Sequence, residues 1–570
     1  METLLHAFIP QPCLFHSHAD AILALSNRPD GEEQIRKALG DDVIILPYVH
    51  PGFALSKAAA EAFVEHSTAR GMVLLRHGLI TWGPSAKAAY NTHIEFVNLA
   101  EGYLERTRPA TPTGAAPSVE QAQAAYRAWA PTLRGKLATP SGRDDIAWKR
   151  AILRPIIDDA TLALLNSPVA RELLVTPPLT SDHLIRTKML PLWVDTPDQL
   201  DAALDNYIAA YGDYCDANWG RTAADTPRFD PLPRVILCPS IGAVCVGPDA
   251  PAADIARDIT AQTLAVKATI GEPAEYEGLS AEQCFDMEYF PLQLAKLRKQ
   301  SESPLRRHVA VITGAAGAIG AGICRYLLEQ GCHVAATDLP GDGLDSLTAE
   351  LAGRFGARAL GVPLDVTSPE GIAEAYGQII DAWGGIDLVI INAGLAHVST
   401  LKEMDLARFQ LLEKVNVEGT LNLLTASAKL FEQQNTGGDV VLISTKNVFA
   451  PGAGFGAYSA TKAASHQLAR IAVVEMAGMD VRVNMVAPDA VFSDGARKSG
   501  LWQEVGPDRM KARGLTEDGL EEYYRNRNLL KARVTADHVA HGVYYFATRQ
   551  SPTTGATIPV DGGLPDATPR

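Results

Sequence analysis

From Arg307 onward, short β-branched runs alternate with longer stretches of helical spacing. The runs are HVAVIT (308–313), HVAATD (333–338), IDLVIINAG (386–394), DVVLIST (439–445) and VRVNMVAP (481–488). Runs that are apolar on both faces, separated by helices, predict a parallel sheet covered by helices on both sides. The first 300 residues follow a less regular pattern. PRVILCPSIGAVCVG (233–247) predicts two strands around a turn, followed by a helix from about Ala252 to Ile270. Near the N-terminus, MVLLRH (72–77) predicts a strand ending at His77, with a helix from about Ser85. RTRPATPTGAAPSVEQ (106–121) has the composition of a linker, and LRKQSESPLRRH (297–308) breaks a helical pattern at polar residues and Pro304. These seams divide the chain into 1–110, a middle region 111–300, and 304–566.

Composition sharpens this picture modestly. At 570 residues the chain exceeds one ordinary core, so two or three domains are expected. Hydrophobic residues at 47% and charged residues at 21% suit a soluble globular protein. Lys plus Arg (51) against Asp plus Glu (66) leaves a net charge of −15. With no basic block, neither nucleic acid nor an anionic membrane is an expected partner. No apolar run reaches the roughly 18 residues of a membrane span, and the first residues lack a signal peptide's pattern. Seven scattered cysteines without a Cys-x-x-Cys pair are expected to be reduced thiols in the cytoplasm.

Chemistry gathers first in the C-terminal region. TGAAGAIG (313–320) follows a strand and opens a helix, the context in which Gly314, Gly317 and Gly320 let backbone approach a pyrophosphate at the helix N-terminus, beside Ile319. A tight turn without a ligand is the alternative. The next strand ends at Asp338, eighteen residues beyond Gly320. A carboxylate there accepts from both ribose hydroxyls of NAD and repels a 2′-phosphate, which favours the nucleotide reading. YSATK places Tyr458 and Lys462 on one helix face, where the lysine charge favours the phenolate. Thr445 ends an apolar strand thirteen residues earlier. Together these motifs resemble the short-chain dehydrogenase/reductase family from about Val309 to Gly563. The resemblance implies a Rossmann-type doubly wound sheet, with Tyr458 as general base and Lys462 lowering its pKa and holding the nicotinamide ribose. It also implies that Thr445 orients the substrate oxygen and Asn416 supports a proton-relay water. Asp365 and Val366 would meet the adenine, and Asn392, Ala393 and Gly394 match the NAG motif. Three positions depart from the family pattern: Ala318 and Asp489 where glycine is usual, and Thr445 in place of serine, with Ser444 as fallback.

Near the start, FHSHAD places His16 and His18 on one face of a strand, and His77 supplies a third imidazole. The pair alone is also compatible with an ordinary polar strand face. Three neutral imidazoles with an open fourth position describe a catalytic zinc site. LFHSHADAI, LPYVHPGFALSKAA and LLRHGLITWG resemble the class II aldolase family, which implies that His16, His18 and His77 hold Zn2+ or a similar divalent ion; His50 and His93 fit no ligand position. In that family a phosphate-binding portion and an acidic acid/base residue precede the metal pair. Here only Glu2 precedes His16 as a carboxylate. The expectation is therefore a partial aldolase-like α/β domain that binds metal but cleaves weakly or not at all.

The joined pattern resembles the bifunctional rhamnulose-1-phosphate aldolase/short-chain dehydrogenase family, extending through TSDHLIRTK (180–188), FDMEYFPLQLAKL (285–297), STKNVFAPG (444–452) and YYRNRNLL (523–530). That resemblance implies cleavage to dihydroxyacetone phosphate and lactaldehyde, followed by NAD-dependent oxidation of lactaldehyde in rhamnose catabolism. A sugar-derived small molecule and a homo-oligomer are the implied partners. His183, Arg186 and Lys188 form either an anion-binding cluster or a solvated loop, and Arg525 and Arg527 either reach the dehydrogenase pocket or pair with nearby acids. Three readings follow: a bifunctional enzyme, a dehydrogenase whose degenerate aldolase domain serves assembly, or a binding protein without activity. The Tyr458–Lys462 pair weighs against the last.

Overall fold

The computed structural model describes residues 3–297 and 302–565, so Glu2 lies outside the described residues. The chain forms two compact units. One comprises Met1–Tyr126, Pro155–Val246 and Ala252–Ser301, the other Arg127–Arg154, Gly247–Pro251 and Glu302–Arg570. Among the described residues, no helix is long and apolar enough to cross a membrane.

In the first unit a four-stranded sheet carries the histidine motif. Cys13–Ser17 runs antiparallel to Gly78–Gly83, which pairs antiparallel with Gly71–Leu74, and Val43–Leu46 joins that strand in parallel. The strand expected to run to His77 ends at Leu74. A tight turn intervenes, in which Arg76 takes φ +60° and the His77 N–H donates to the Leu74 carbonyl at 3.1 Å. The chain then reverses directly into Gly78–Gly83, and the helix Ala86–Thr107 begins where Ser85 accepts from the Ala88 N–H. The expected pair of strands in 233–247 forms as Val235–Cys238 and Gly242–Gly247, followed by the helix Ala250–Ile270. One core joins Leu23, Ile35 and Phe96 to Leu173, Leu237 and Val266, so the early and middle segments bury their apolar faces against each other. The proline-rich stretch after Arg108 lacks regular structure but is packed: Gly114 lies so close to the Asn166 carbonyl that a Cβ would sit 1.7 Å from it.

The second unit is built on a seven-stranded parallel sheet. In spatial order its strands are Ala359–Pro363, His333–Asp338, Val309–Thr313, Leu388–Ile391, Gly438–Ile443, Val481–Pro488 and Thr557–Val560. The direction of strand addition reverses between Val309–Thr313 and Leu388–Ile391, which opens a crevice at their C-terminal ends. The two strands flanking that point are buried along their whole length. The helices Ala318–Glu329 and Ala536–Ala547 approach so closely that a Cβ on Gly322 would lie 2.4 Å from the Ala536 Cβ.

At the opposite end of the sheet, a buried ion cluster fixes where these strands start. Asp387, fully buried, takes bidentate bonds from Arg134 at 2.7 and 2.7 Å, an ion pair with Arg150 at 3.1 Å and the Val309 N–H at 2.8 Å. Burial opposes ionisation of Asp387, but the two guanidiniums outweigh it and hold the carboxyl well below the usual carboxylate range. A depressed carboxylate adds stability above its unfolded pKa and loses it only as pH falls through the folded value, so this support is intact throughout the neutral range. Removing one partner strands a buried charge. Arg134→Met is therefore expected to destabilise this unit by about 3 to 5 kcal/mol, read from its urea transition. A change below roughly 1 kcal/mol, the size of an exposed pair, would mean that Arg150 alone suffices.

Candidate active site and metal centre

Local backbone requirements shape the crevice of the second unit. Gly314 has φ +63°, and a Cβ there would lie 2.9 Å from the Ala393 Cα; a Cβ on Gly320 would lie 2.4 Å from the Gly314 carbonyl oxygen. Both positions need glycine. Gly317 precedes the helix that starts at Ala318, so first-turn N–H groups face the crevice beside Ile319. The turn is locked to the neighbouring strand. Thr313 Oγ1 accepts from the Asn392 and Ala393 N–H groups at 3.0 and 3.1 Å, and the Asn392 amide donates to the carbonyls of Thr313 and Gly314 at 2.9 and 3.0 Å. Asp338 stands at the rim, its two oxygens accepting from the Ala316 and Leu339 N–H groups at 2.9 and 2.8 Å. Val366 packs against Gly419, while Asp365 is exposed and turns its carboxylate back onto Thr367 at 2.8 Å.

Gly314, Gly317, Ile319, Gly320, Asp338, Asp365, Val366, Asn392, Ala393 and Gly394 border one cavity of about 830 Å³, together with Thr445, Tyr458 and Lys462. Tyr458 and Lys462 lie on the helix Gly456–Met476. Lys462 Nζ donates to the Ile443 carbonyl at 2.8 Å, and burial brings it down to about 8. Burial pushes the Tyr458 phenol up to about 12, and the Thr445 hydroxyl pulls it back. The sequence reading expected Lys462 to bring the phenol toward neutrality; in the structure burial of the phenol prevails, and the Lys462 ammonium donates to a carbonyl. Ser444, the fallback for Thr445, is engaged elsewhere, with its hydroxyl 3.0 Å from His466 Nδ1. Asn416 sits where the chain widens into a π-helical turn over Glu413–Glu418, a distortion common at functional sites. Its side chain grips the Leu395 backbone at 2.9 Å in both directions, and its carbonyl accepts from Ser465 at 2.6 Å. Asp489 borders the same cavity, ion-paired with Arg527, while Arg525 pairs with Glu522 at 3.3 Å.

In the first unit, the hairpin brings His16, His18 and His77 together, with one ligating nitrogen of each within 4.8 Å of the others. His16 Nδ1 lies 3.0 Å from the Leu79 carbonyl, an acceptor only, so this nitrogen carries the proton and Nε2 keeps its lone pair. Burial, then the charges of His18 and His16, lower His77 to about 3, so it is neutral at ordinary pH. Gly78 makes room for the rings: a Cβ there would lie 2.9 Å from His18 Cδ2 and 3.1 Å from His16 Cε1. The donor set and its spacing suit a zinc-like ion. His93 lies behind the triad, 2.6 Å from Ser17 Oγ and 3.1 Å from Thr81 Oγ1, and His50 rests against the Phe290 ring.

Sequence reasoning missed Asp182. Its Oδ2 is 3.9 Å from His18 Nε2, it shares a small cavity with His16 and His77, and the Gln293 amide donates to Oδ1 at 3.0 Å. His183 follows it, its ring 6.3 Å from that of His18. Of the two readings of His183, Arg186 and Lys188, an anion-binding cluster or a solvated loop, the loop is not what forms at His183 and Lys188, both of which are buried. Lys188 turns away, with φ +61°, and places its ammonium over the Tyr211 ring at 3.8 Å. The signal in the sequence was the carboxylate inside TSDHLIRTK, which three basic residues follow closely.

Three family descriptions match this chain: "Class II Aldolase and Adducin N-terminal domain" over 1–104, "Aldolase class II, second domain" over 124–297 and "short chain dehydrogenase" over 308–504. An uncharacterized oxidoreductase of Bacillus subtilis, YuxG, is 33% identical over 100% of this chain and 83% of its own. The chain belongs to the family that joins a class II aldolase to a short-chain dehydrogenase. The D-beta-hydroxybutyrate dehydrogenase of Rhizobium meliloti is 26% identical over 45% of this aldolase–dehydrogenase and 97% of its own chain. The crystal structure of sorbitol-6-phosphate 2-dehydrogenase from Erwinia amylovora, 25% identical, covers 45% of this chain and 98% of its own, with a TM-score of 0.42.

The high phenol of Tyr458 has a kinetic consequence for the dehydrogenase. If this phenol is the group that takes the alcohol's proton, the fraction able to do so grows as pH rises toward its pKa. Alcohol oxidation is therefore expected to quicken above neutrality, and Tyr458→Phe to remove both the rise and nearly all turnover while dinucleotide still binds. Thr445→Val should cost a factor of about 10² to 10³, as for one positioning hydrogen bond. Rates followed by cofactor absorbance across pH check this. A flat profile in the unaltered protein would place the proton transfer on another group.

Proposed function

We propose that this aldolase–dehydrogenase oxidises a small hydroxy-aldehyde or alcohol with NAD, with lactaldehyde from rhamnose catabolism as the first candidate, and that its N-terminal unit holds a zinc-like ion in a rhamnulose-1-phosphate aldolase-like site. The observation that carries the reading is the convergence of Tyr458, Lys462, Thr445 and the Asp338 carboxylate on one cavity at the sheet's reversal point. NAD, when bound, accepts the hydride. The chain's own residues do the rest. Thr445 orients the substrate oxygen, Tyr458 takes its proton and Lys462 holds the ribose beside it. Asp338, already fixed by two backbone N–H groups, would accept from the adenosine ribose. A cytoplasmic homo-oligomer acting on sugar-derived small molecules, with neither nucleic acid nor membrane as partner, completes the proposal.

Asp338 sets the cofactor choice. Two like charges about 4 Å apart cost on the order of 1 kcal/mol in water and several in a partly buried site. NAD is therefore expected to exceed NADP in kcat/KM by at least roughly tenfold, and Asp338→Ala to narrow that ratio. A native preference for NADP would exclude the reading.

Asp182 favours a second reading of the N-terminal unit, in which it cleaves as well as binds. A divalent metal would polarise a ketone oxygen when bound to His16, His18 and His77. Asp182, held by Gln293, is a carboxylate positioned to move a proton there. One equivalent of zinc per chain is expected by metal analysis, and His77→Ala should abolish it while NAD-dependent oxidation ignores chelators. Cleavage of rhamnulose 1-phosphate that needs metal and disappears in Asp182→Asn supports this second reading. Cleavage at background in the zinc-loaded protein leaves the unit to assembly, and failure to retain zinc excludes both uses of the triad.

A further inference from the structure

The substrate end of the dehydrogenase cavity carries more positive charge than a neutral aldehyde needs. Beyond Tyr458 it is bordered by Arg509, Arg513 and Arg527, which come from the helix Gly500–Arg513 and from the end of Glu517–Asn526. Each guanidinium lies against an aromatic ring: Arg509 over Phe455 at 4.1 Å, Arg527 over Tyr524 at 4.1 Å and Arg513 over Tyr523 at 4.9 Å. Phe455 in turn contacts Tyr458, with ring centroids 6.1 Å apart, so Arg509 is one side chain away from the proposed reacting centre. The ring contacts hold the planar groups in place beside the cavity they border. Burial, and then repulsion from Arg513 and Arg527, lower Arg509 from its usual value.

Carboxylates cancel this charge only in part: Asp489 and Glu504 border the same cavity. Among the described residues, the acid ion-paired to these three arginines is Asp489, bound to Arg527. Glu504, on the same helix as Arg509, is exposed; Glu522 pairs with Arg525, Glu521 with Arg533 and Glu517 with Lys498. Arg509 donates one long bond to the Ala453 carbonyl at 3.4 Å, and its buried Nε has no hydrogen-bond partner. A buried guanidinium N–H without an acceptor is costly, and a bound anion is the natural acceptor. The cofactor's pyrophosphate is accounted for elsewhere, at the turn Gly314–Gly320 and the helix behind it.

We propose that the alcohol oxidised in this cavity carries an anionic group, a carboxylate or a phosphate, gripped by Arg509 with Arg527 and Arg513 close by, while its hydroxyl lies on Tyr458. The inference rests on the dehydrogenase reading and narrows its class, a small hydroxy-aldehyde or alcohol, to members that carry an anionic group. Within that class it ranks an anionic alcohol ahead of lactaldehyde, the candidate that family resemblance alone puts first.

Calorimetric titration of the NADH-bound protein tests this with two matched pairs, 3-hydroxybutyrate against 3-hydroxybutyramide and glycerol 3-phosphate against glycerol. At least one anion is expected to bind tenfold or more tightly than its neutral partner; the pair showing the gap separates carboxylate from phosphate recognition. Arg509→Met should erase the gap, Arg509→Lys should keep part of it, and Tyr458→Phe should keep it whole. A gap below twofold in both pairs overturns the proposal, as does a gap that survives Arg509→Met. Equal weakening of NADH binding by Arg509→Met, with the gap retained, assigns the arginine to the cofactor and also overturns it. Failure of the unaltered protein to bind NADH sinks the dehydrogenase reading and this inference with it, whereas NADH bound without a gap sinks this inference alone.

Discussion

The register between two central strands is the constraint on which the dehydrogenase site depends. Val309–Thr313 and Leu388–Ile391 are clamped at both ends. At one end Asp387 takes the Val309 N–H on its carboxylate and gives its own N–H to the Val309 carbonyl at 2.8 Å, while Arg134 and Arg150 neutralise it. At the other end the Thr313 hydroxyl and the Asn392 amide tie the glycine turn to the NAG segment. A slip of one residue would turn every side chain to the wrong face and part these clamps. With the register set, Gly314, Asn392 and Gly394 meet at one crevice, and the helix bearing Tyr458 and Lys462 closes over it. The clamp draws Arg134 and Arg150 from a segment some 150 residues before the sheet begins, so the dehydrogenase unit is more than its nucleotide-binding motif.

Much of this was legible in the residues. The alternation of apolar strands and helices after Arg307 reflects a sheet buried on both faces, and that physical condition writes itself directly into composition. The glycine turn and Asp338 were readable because they serve backbone geometry and charge at adjacent points of chain. The three histidines were equally visible, since two lie on one strand and the third on the next hairpin. What stayed hidden depended on long-range packing. The Asp387 cluster joins residues about 250 positions apart, and nothing near Arg134 marks it as buried. Asp182 was masked by the cations beside it, and Lys188 left that group because the backbone turns at positive φ. The state of Tyr458 was also beyond sequence: spacing shows that Lys462 is near, but only the fold shows that its ammonium points at Ile443 and that burial governs the phenol.

The two units use similar means for different chemistry. In each, a tight turn beside a strand requires glycine because something must come close: Gly314 against Ala393, and Gly78 against the Ser17 carbonyl and then two imidazoles. In each, backbone acceptors or donors fix the chemical groups before any ligand arrives, with the Leu79 carbonyl setting the tautomer of His16 and the N–H groups of Ala316 and Leu339 aiming Asp338. Such preorganisation lowers the ordering that binding must accomplish. It also explains why substitution of a glycine or a backbone partner would disturb these sites as much as loss of a catalytic side chain.

The central claim is that the crevice at the reversal point is where a dinucleotide and an alcohol meet above Tyr458. A crystal structure of the protein with NADH tests it most directly. The account predicts the adenosine ribose hydrogen-bonded to Asp338, the pyrophosphate on the turn Gly314–Gly320, and the nicotinamide ribose on Lys462 with its ring facing the space between Tyr458 and Thr445. A dinucleotide bound elsewhere, or lying in the crevice with its nicotinamide turned away from Tyr458, would contradict it.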